Sequence, residues 1–119
     1  MNKIILIGRI GRDAELRYSP DGKAVCGFSM AVDDGYGEKK STIWVRCSLW
    51  GDRADKLAPH LTKGKPVYVE GSLSHDDAGG PRTWVDKTTN ETRTSFECRV
   101  TTIEFLPGAP KSESGEEPF

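Results

Sequence analysis

The segment from Ile43 to Trp50, which reads Ile-Trp-Val-Arg-Cys-Ser-Leu-Trp, constrains the fold of this chain more than any other. Along a β-strand, successive side chains point to opposite faces of the sheet. One face is therefore apolar, with the residues Ile43, Val45, Cys47 and Leu49. The other carries two indoles, a guanidinium and a hydroxyl, from Trp44, Trp50, Arg46 and Ser48. The pattern predicts a strand with a buried face and an aromatic, cationic outer face.

The aromatic and cationic face has two interpretations. Unstacked bases of a single-stranded nucleic acid can stack on indole rings, while Arg46 contacts a phosphate or lies on a base. Because every base has a π-face, such binding tolerates any sequence. Alternatively, the face packs against a second sheet or another subunit, since Trp is also enriched at protein interfaces. This strand alone leaves both interpretations open.

Composition is that of a single globular domain. The chain has 119 residues, of which 35% are hydrophobic and 29% are charged, and no apolar run is long enough to cross a bilayer. The first residues lack the features of a signal peptide, so a cytoplasmic location is expected. Cys26, Cys47 and Cys98 are far apart and are expected to be buried, reduced thiols. No metal or other cofactor is expected.

The net charge of −1 is low for a protein that binds a polyanion. Residues 107–119 contain one lysine and three glutamates, which leaves residues 1–106 with sixteen basic and fifteen acidic side chains. Binding of a nucleic acid by residues 1–106 therefore depends on stacking and on positive residues concentrated on one face. The affinity for a nucleic acid is therefore expected to depend only modestly on salt.

Alternation and turn signals divide residues 1–106 into five strands and one helix. Strands are predicted over Lys3–Ile10, Ala24–Asp33, the Ile43–Trp50 segment, Pro66–Ser74 and Thr94–Leu106, with a short extended piece over Ala14–Tyr18 and a long hairpin over Arg82–Thr94. In the fourth strand, Val67, Val69 and Leu73 are expected to face inward. In the last strand the apolar phase shifts, which predicts a bulge near Thr101–Thr102.

The helix is predicted over Asp52–Thr62, where apolar residues recur at helical spacing. Pro59 lies within this range. Because proline removes one hydrogen bond and clashes with the preceding turn, a kink or an early end of the helix is expected near Ala58.

The order of these elements is that of the oligonucleotide/oligosaccharide-binding (OB) fold, an all-β, five-stranded Greek-key barrel with one α-helix between strands three and four. Four stretches carry a more specific similarity: Asn2 to Tyr18, Trp50-Gly51, Leu61-Thr62-Lys63-Gly64 and Val69-Glu70-Gly71-Ser72-Leu73. Together they resemble the bacterial single-stranded DNA-binding protein (SSB) family over about residues 1–106. The resemblance implies a non-enzymatic protein that coats single-stranded DNA during replication, recombination and repair.

The resemblance also implies where bases stack. Family members use aromatic residues of the third strand, of the hairpin before it and of the hairpin between strands four and five. By motif, these positions are Trp44, Trp50, Tyr36 and Trp84. Asp76–Pro81 is an acidic, glycine-rich insertion relative to the family, which bears on whether Trp84 reaches DNA. The alternative for Trp84 is packing within the protein on Tyr68 or Phe96.

Phosphate contacts are expected from basic residues near the same groove. Arg46 is best placed, because it is in phase with Trp44 and Trp50. The others are Arg9, Lys39, Lys40, Lys63, Arg82 and Arg93. Asp52 stands where relatives commonly have a basic residue, which argues against a contact there.

Assembly and partner proteins are further implications of the resemblance. Family members are usually homotetramers, and edge residues of the first strand together with Tyr68 are expected to serve assembly. Residues 107–119 are expected to be a disordered tail. Its tip, Glu116-Glu117-Pro118-Phe119, resembles the acidic Pro-Phe terminus by which the family recruits replication, recombination and repair proteins. A cytoplasmic, nucleoid-associated protein is implied.

Two other functions fit parts of the sequence. Asp33-Asp34 and Asp76-Asp77 resemble the paired carboxylates of a nuclease, but adjacent acids in turn-rich segments are usually turn residues. An enzyme is therefore not expected. A related OB-fold adaptor of a primosome, or a single-stranded RNA binder, is the remaining alternative, and competition between dT and rU oligomers distinguishes it.

Overall fold

The computed structural model describes residues 1–108 of the chain. Its strands are β1 (Ile4–Ile10), β2 (Glu15–Tyr18), β3 (Ala24–Asp34), β4 (Ser41–Trp50), β5 (Pro66–Leu73), β6 (Thr83–Val85), β7 (Thr92–Thr94) and β8 (Phe96–Phe105). Helix α1 (Asp52–Leu57) follows β4, and 3₁₀ turns cover Gly37–Lys39 and Ala58–His60. Within this range no helix has the length and apolar character needed to cross a membrane.

Six of the strands form a sheet that closes into a barrel. Their order is β1-β5-β8-β4-β3-β2, and β1 also pairs with β3 through Arg9 opposite Ala31 and Ile10 opposite Met30. The pairing of β4 with β8 is parallel, and the others are antiparallel. Because the chain bends at Gly11 and continues from β1 into β2, these two serve as one strand of a five-stranded barrel. This confirms the OB fold predicted from the sequence.

The core is made of inward-facing side chains of the barrel strands and of the segment that follows β4. Its largest fully buried members are Ile10, Met30, Leu49, Leu61, Val67 and Val69. Each contributes about 1.5–3 kcal/mol of transfer free energy relative to an exposed side chain. In β4, Val45, Cys47 and Leu49 are buried and the residues between them are not, which confirms the predicted alternation. The three cysteines are buried and free, as predicted.

The helix after β4 ends earlier than its apolar spacing alone predicts. Helix α1 stops at Leu57, and Ala58–His60 form a 3₁₀ turn. Pro59 is the cause, because it has no N–H to donate to the carbonyl of Asp55. The break expected near Ala58 is therefore confirmed, whereas a helix that continues to Thr62 is wrong.

Two predictions need correction, one about the start of the last strand and one about the end of β5. The strand predicted over Thr94–Leu106 begins later, because Thr94 is the last residue of β7, which pairs with β6 in the predicted hairpin, and β8 begins at Phe96. Leu73 was expected to face inward but is 45% exposed. It is the last residue of β5, at the end of the strand, where burial decreases.

The bulge predicted near Thr101–Thr102 is present in β8. Glu70 pairs with Thr102 and Gly71 with Val100, so Thr101 is the extra residue. The hydroxyl of Thr101 donates to the carbonyl of Glu70 at 3.1 Å. A bulge adds one residue to one strand of a pair, which accounts for the shift of the apolar phase along β8.

Candidate nucleic-acid interface

The outer face of β4 lies beside a row of small residues on β3. The register places Trp44 opposite Ala31, Arg46 opposite Ser29, Ser48 opposite Gly27 and Trp50 opposite Val25. Directly opposite residues of an antiparallel pair point to the same face. The two indoles are six residues apart, which corresponds to about 20 Å along the strand. The surface is therefore a shallow floor of small side chains with a large ring at each end.

Trp50 is the more accessible of the two indoles. It is 41% exposed, and the guanidinium of Arg99 lies 5.4 Å from its ring centroid. Arg99 comes from β8, where it is opposite Ser48 in the parallel pairing with β4. A cation is attracted to the face of an aromatic ring, so Arg99 holds a positive charge beside the ring of Trp50.

Trp44 is half-buried and lies against the end of β1. A Cβ atom placed on Gly11 would be 2.6 Å from Cζ3 of Trp44 and 2.8 Å from Oγ of Ser29. Gly11 therefore leaves the space in which the indole rests. Ser29 is only 4% exposed, and its hydroxyl has no hydrogen-bond partner among residues 1–108. The sequence gives no local signal that Gly11 and Ser29 lie beside Trp44, because the three residues belong to separate segments of the chain.

The hairpin of β6 and β7 brings the third tryptophan to the same face. The guanidinium of Arg46 lies 5.4 Å from the ring centroid of Trp84. The insertion before the hairpin is a compact loop, in which the Asp76 carboxylate accepts hydrogen bonds from the backbone N–H groups of Ala78 (3.0 Å) and Gly80 (2.9 Å). Trp84 itself is half-buried and lies beside Arg46. Its contact with DNA remains a prediction.

The hairpin between β3 and β4 carries Tyr36, which is 90% exposed. The residues after it form the exposed 3₁₀ turn Gly37–Lys39. Lys40 forms an ion pair with Asp33, with 3.2 Å between Nζ and Oδ2. This tip therefore presents one aromatic ring and the ammonium groups of Lys39 and Lys40, at the end of β4 that is nearer to Trp44.

Arg9 and Lys63 lie on the β1 side of the barrel. The guanidinium of Arg9 donates to the carbonyl of Gly64 at 2.9 Å. In the register, Arg9 is opposite Ala31, in the same row as Trp44. Lys63, which precedes Gly64, is exposed. Its backbone N–H donates to the carboxylate of Asp13 at 2.9 Å.

Arg82 and Arg93 belong to the segment of the distal hairpin. Arg82 is exposed. Arg93 pairs with Asp86, with 2.9 Å between Nε and Oδ2, and also lies 3.8 Å from a carboxylate oxygen of Glu91. A hydrogen bond from the backbone N–H of Thr88, together with Arg93, lowers the pKa of Asp86. Arg93 is therefore engaged within its own hairpin, where two carboxylates offset part of its positive charge.

Besides Arg99, the sequence also left Arg12 and Arg17 of this face unassigned. Arg12, Arg17 and Arg46 border one groove of about 240 Å³ above Gly27 and Ser29. Arg17 is opposite Val25, which is itself opposite Trp50. The four residues of β2 are too few for alternation to show which side chains share a face. Only the pairing of β2 with β3 shows that Arg17 shares a face with Trp50.

One carboxylate of each pair that resembles a nuclease centre has a structural role. Asp33 is ion-paired with Lys40, and Asp76 caps its own loop. In the part of the chain that the structure describes, no group of three His, Cys, Asp or Glu side chains is arranged to hold a metal ion. Flat rings with guanidinium groups beside them suit the binding of unstacked bases and phosphates.

Comparisons with known proteins identify the family. The model of the single-strand binding protein family matches residues 1–106. Single-stranded DNA-binding protein 1 of Chlorobaculum tepidum is 33% identical over 97% of this chain and 70% of its own length. The single-stranded DNA-binding protein of Neisseria meningitidis serogroup A is 36% identical over 97% of this chain and 65% of its own length. That of Chlamydia muridarum is 33% identical over 92% of this chain and 65% of its own length.

The chain thus spans about two thirds of the length of these curated relatives. The family match covers almost all of the residues that the structure describes, including every barrel strand and the distal hairpin. This chain belongs to the single-strand binding protein family.

Proposed function

We propose that this chain binds single-stranded DNA without sequence preference, and that it protects and organises that DNA during replication, recombination and repair. The observation that carries the proposal is the outer face of β4, where Trp44, Arg46 and Trp50 lie together on a barrel of the single-strand binding family. The relatives are named as single-stranded DNA-binding proteins. The activity is binding alone, without a catalytic step and without a cofactor.

Stacking accounts for the lack of sequence preference. A base that stacks on an aromatic side chain contributes about 1–3 kcal/mol, and every base has a π-face. Trp44 and Trp50 are the two platforms on β4, Tyr36 extends the track at the Trp44 end, and Trp84 lies across it beside Arg46. The track is therefore longer than a single strand.

Phosphate contacts add a second contribution that depends on salt. The residues proposed for it are Arg46, Lys39, Lys40, Lys63, Arg9, Arg82 and Arg93. Several of them already have partners in the free protein, such as Lys40 with Asp33 and Arg93 with Asp86. Because the carboxylates of those pairs oppose the approach of a phosphate, the net gain per contact is small, in line with the nearly neutral residues 1–106.

We also propose that the protein is a homotetramer and that β1 takes part in its assembly. The first edge of β1 pairs with β5, whereas its second edge meets β3 only at Arg9 and Ile10. Within residues 1–108, no strand pairs with the second edge over residues 4–7. Ile5 and Ile7 on this strand are 54% and 59% exposed. An open edge with exposed isoleucines favours aggregation in a lone chain, and symmetric pairing with a second copy removes it.

Recruitment of partner proteins is proposed for the tip of the predicted tail. Residues 109–119, which include Glu116, Glu117, Pro118 and Phe119, lie outside the described residues. Two carboxylates beside a proline and an aromatic ring suit a hydrophobic pocket with a basic rim. Replication, recombination and repair proteins are the proposed partners, in the cytoplasm and at the nucleoid.

Competition between oligo(dT) and oligo(rU) of equal length tests the proposal against an RNA-binding or primosome-adaptor barrel. Binding is followed by the quenching of tryptophan fluorescence at a fixed salt concentration. We expect tighter binding of oligo(dT) than of oligo(rU), and similar affinities for unstructured DNA oligomers of different sequence. Tighter binding of oligo(rU), or no binding of either oligomer, would contradict the proposed function.

A further inference from the structure

A groove of about 240 Å³ lies between the two indoles of β4. Its floor includes Gly27, Ser29 and Ser48, which the register places between the rows of Trp44 and Trp50. The space above Gly27 is empty, because a Cβ atom placed on this residue would have no heavy atom within 4 Å. The rings are about 20 Å apart along the strand. DNA that stacks on both rings must therefore pass its backbone over the groove.

A carboxylate lies among the arginines of this groove. Glu15 on β2 is opposite Gly27, and its Oε2 is 2.8 Å from Nη2 of Arg17. The hydrogen bond and charge of Arg17, followed by the charges of Arg12 and Arg46, lower the pKa of Glu15. The carboxylate is therefore ionised at neutral pH and interacts with all three positive side chains.

We propose that Arg12, Arg17 and Arg46 form a phosphodiester subsite between the two stacking positions, and that the Glu15 carboxylate takes the place of the phosphate in the free protein. This subsite presupposes the proposed binding of single-stranded DNA. Guanidinium groups bind the oxygens of carboxylates and of phosphates in the same planar, paired geometry. DNA that enters the groove displaces Glu15 from Arg17.

Two other acidic side chains line the groove, and each accepts a hydrogen bond from outside the arginine cluster. Asp13 accepts one from the backbone N–H of Lys63 at 2.9 Å. Glu97 accepts one from the hydroxyl of Ser95 at 3.5 Å. Glu15 is paired with Arg17, which is itself part of the proposed subsite. Its charge therefore opposes the entry of a phosphate at Arg17.

The exchange of one anion for another lowers both the affinity for DNA and the dependence of that affinity on salt. In the wild type, the Arg17–Glu15 pair must open before the phosphate binds, and the displaced carboxylate remains nearby as a negative charge. Removal of that charge takes away the carboxylate that is paired with Arg17. The substitution Glu15→Gln, which keeps the size of the side chain, isolates this effect.

The test compares wild type, Glu15→Gln, Arg17→Ala and a control, Glu104→Gln, by titration with oligo(dT) over a range of salt concentrations. Glu104 is opposite Tyr68 in the pairing of β5 with β8 and does not line the groove, so its substitution makes the same change in net charge elsewhere. For Glu15→Gln we expect binding about twofold to fivefold tighter at low salt. Its plot of log affinity against log salt should be steeper by up to about 0.7. Arg17→Ala should bind about threefold more weakly or worse.

Both side chains are more than half exposed, at 61% for Glu15 and 76% for Arg17, so neither substitution is expected to disturb the fold. If Glu15→Gln binds no more tightly than Glu104→Gln, the carboxylate does not occupy the subsite. If Arg17→Ala binds as tightly as wild type, the subsite itself is wrong. A wild-type protein that does not bind oligo(dT) at all would instead contradict the proposed function.

Discussion

The guanidinium of Arg46 lies 5.4 Å from the ring centroid of Trp84. The two residues belong to different sheets, Arg46 to β4 of the barrel and Trp84 to β6 of the distal hairpin. Their contact places the hairpin against the surface that carries Trp44 and Trp50. Arg46 is thus the point at which the two parts of the proposed DNA track meet, and a phosphate bound there would lie beside an aromatic ring from each part.

Gly11 determines where the ring of Trp44 rests. Because an added Cβ atom would be 2.6 Å from Cζ3 of Trp44, Gly11→Ala must displace the indole. We expect this substitution to lower the free energy of unfolding by about 1–3 kcal/mol. Gly27→Ala is the matched control, since its added methyl would have no heavy atom within 4 Å. Urea unfolding measures both variants, and equal stabilities would show that Trp44 does not depend on Gly11.

The buried hydroxyl of Ser29 makes a second prediction about stability. It has no partner among residues 1–108, so Ser29→Ala removes a group that is desolvated without compensation. The free energy of unfolding is expected to stay the same or to rise by up to about 1–3 kcal/mol. Thr101→Val is the comparison, because the hydroxyl of Thr101 donates to the carbonyl of Glu70 at 3.1 Å. Its loss should cost about 0.5–1.5 kcal/mol. Chemical denaturation that shows Ser29→Ala to be the more destabilising variant would contradict the account of Ser29.

The pKa of Glu15 tests the arginine cluster in the free protein. Arg17 is the main cause of its lowering from the ordinary value of 4.5. Because the folded-state pKa is depressed, the interaction stabilises the fold above the unfolded-state pKa and is lost as the pH falls through the folded-state value. In Arg17→Ala we expect the pKa of Glu15 to rise toward its ordinary value, as followed by NMR titration of the side-chain carboxyl. The pKa of Glu70, which is lowered by Lys3, should not change. An unchanged pKa of Glu15 would argue against the ion pair.

The outer face of β4 could be predicted from the sequence, because alternation continues without interruption from Ile43 to Trp50 and the apolar phase has to be buried. The helix break was equally predictable, since the chemistry of Pro59 is local. The exposure of Leu73 could not be predicted. Alternation indicates which face of the strand a side chain is on, but not where burial ends along the strand.

The positions of Arg17 and Arg99 depend on pairings that no local pattern specifies. Arg99 reaches Trp50 through the parallel pairing of β8 with β4, and this pairing is set by closure of the whole barrel. Arg17 reaches the face through the register of β2 on β3. The sequence therefore predicted which side chains of β4 face outward better than the positions of the charged residues around them.

The exposed isoleucines of β1 test the proposed assembly. Carboxylates placed at Ile5 and Ile7 would be buried without partners if a second copy covers this strand. We expect the double variant Ile5→Glu, Ile7→Glu to dissociate toward the monomer in analytical ultracentrifugation. Val85→Glu is the control, because Val85 is 54% exposed on the distal hairpin. An unchanged mass for the β1 variant would exclude this strand from the interface.

Titration of Trp44→Ala and Trp50→Ala with oligo(dT), with the mass of each variant measured in parallel, tests the stacking function of the β4 face most directly. Each variant should lose about 1–3 kcal/mol of binding free energy and keep the oligomeric state of the wild type. Tyr18→Ala is the control, since Tyr18 is 61% exposed and lies opposite Ala24 in the other phase of the sheet. If both tryptophan variants bind as tightly as wild type while the oligomer dissociates, the face is a subunit interface and the proposed stacking is wrong.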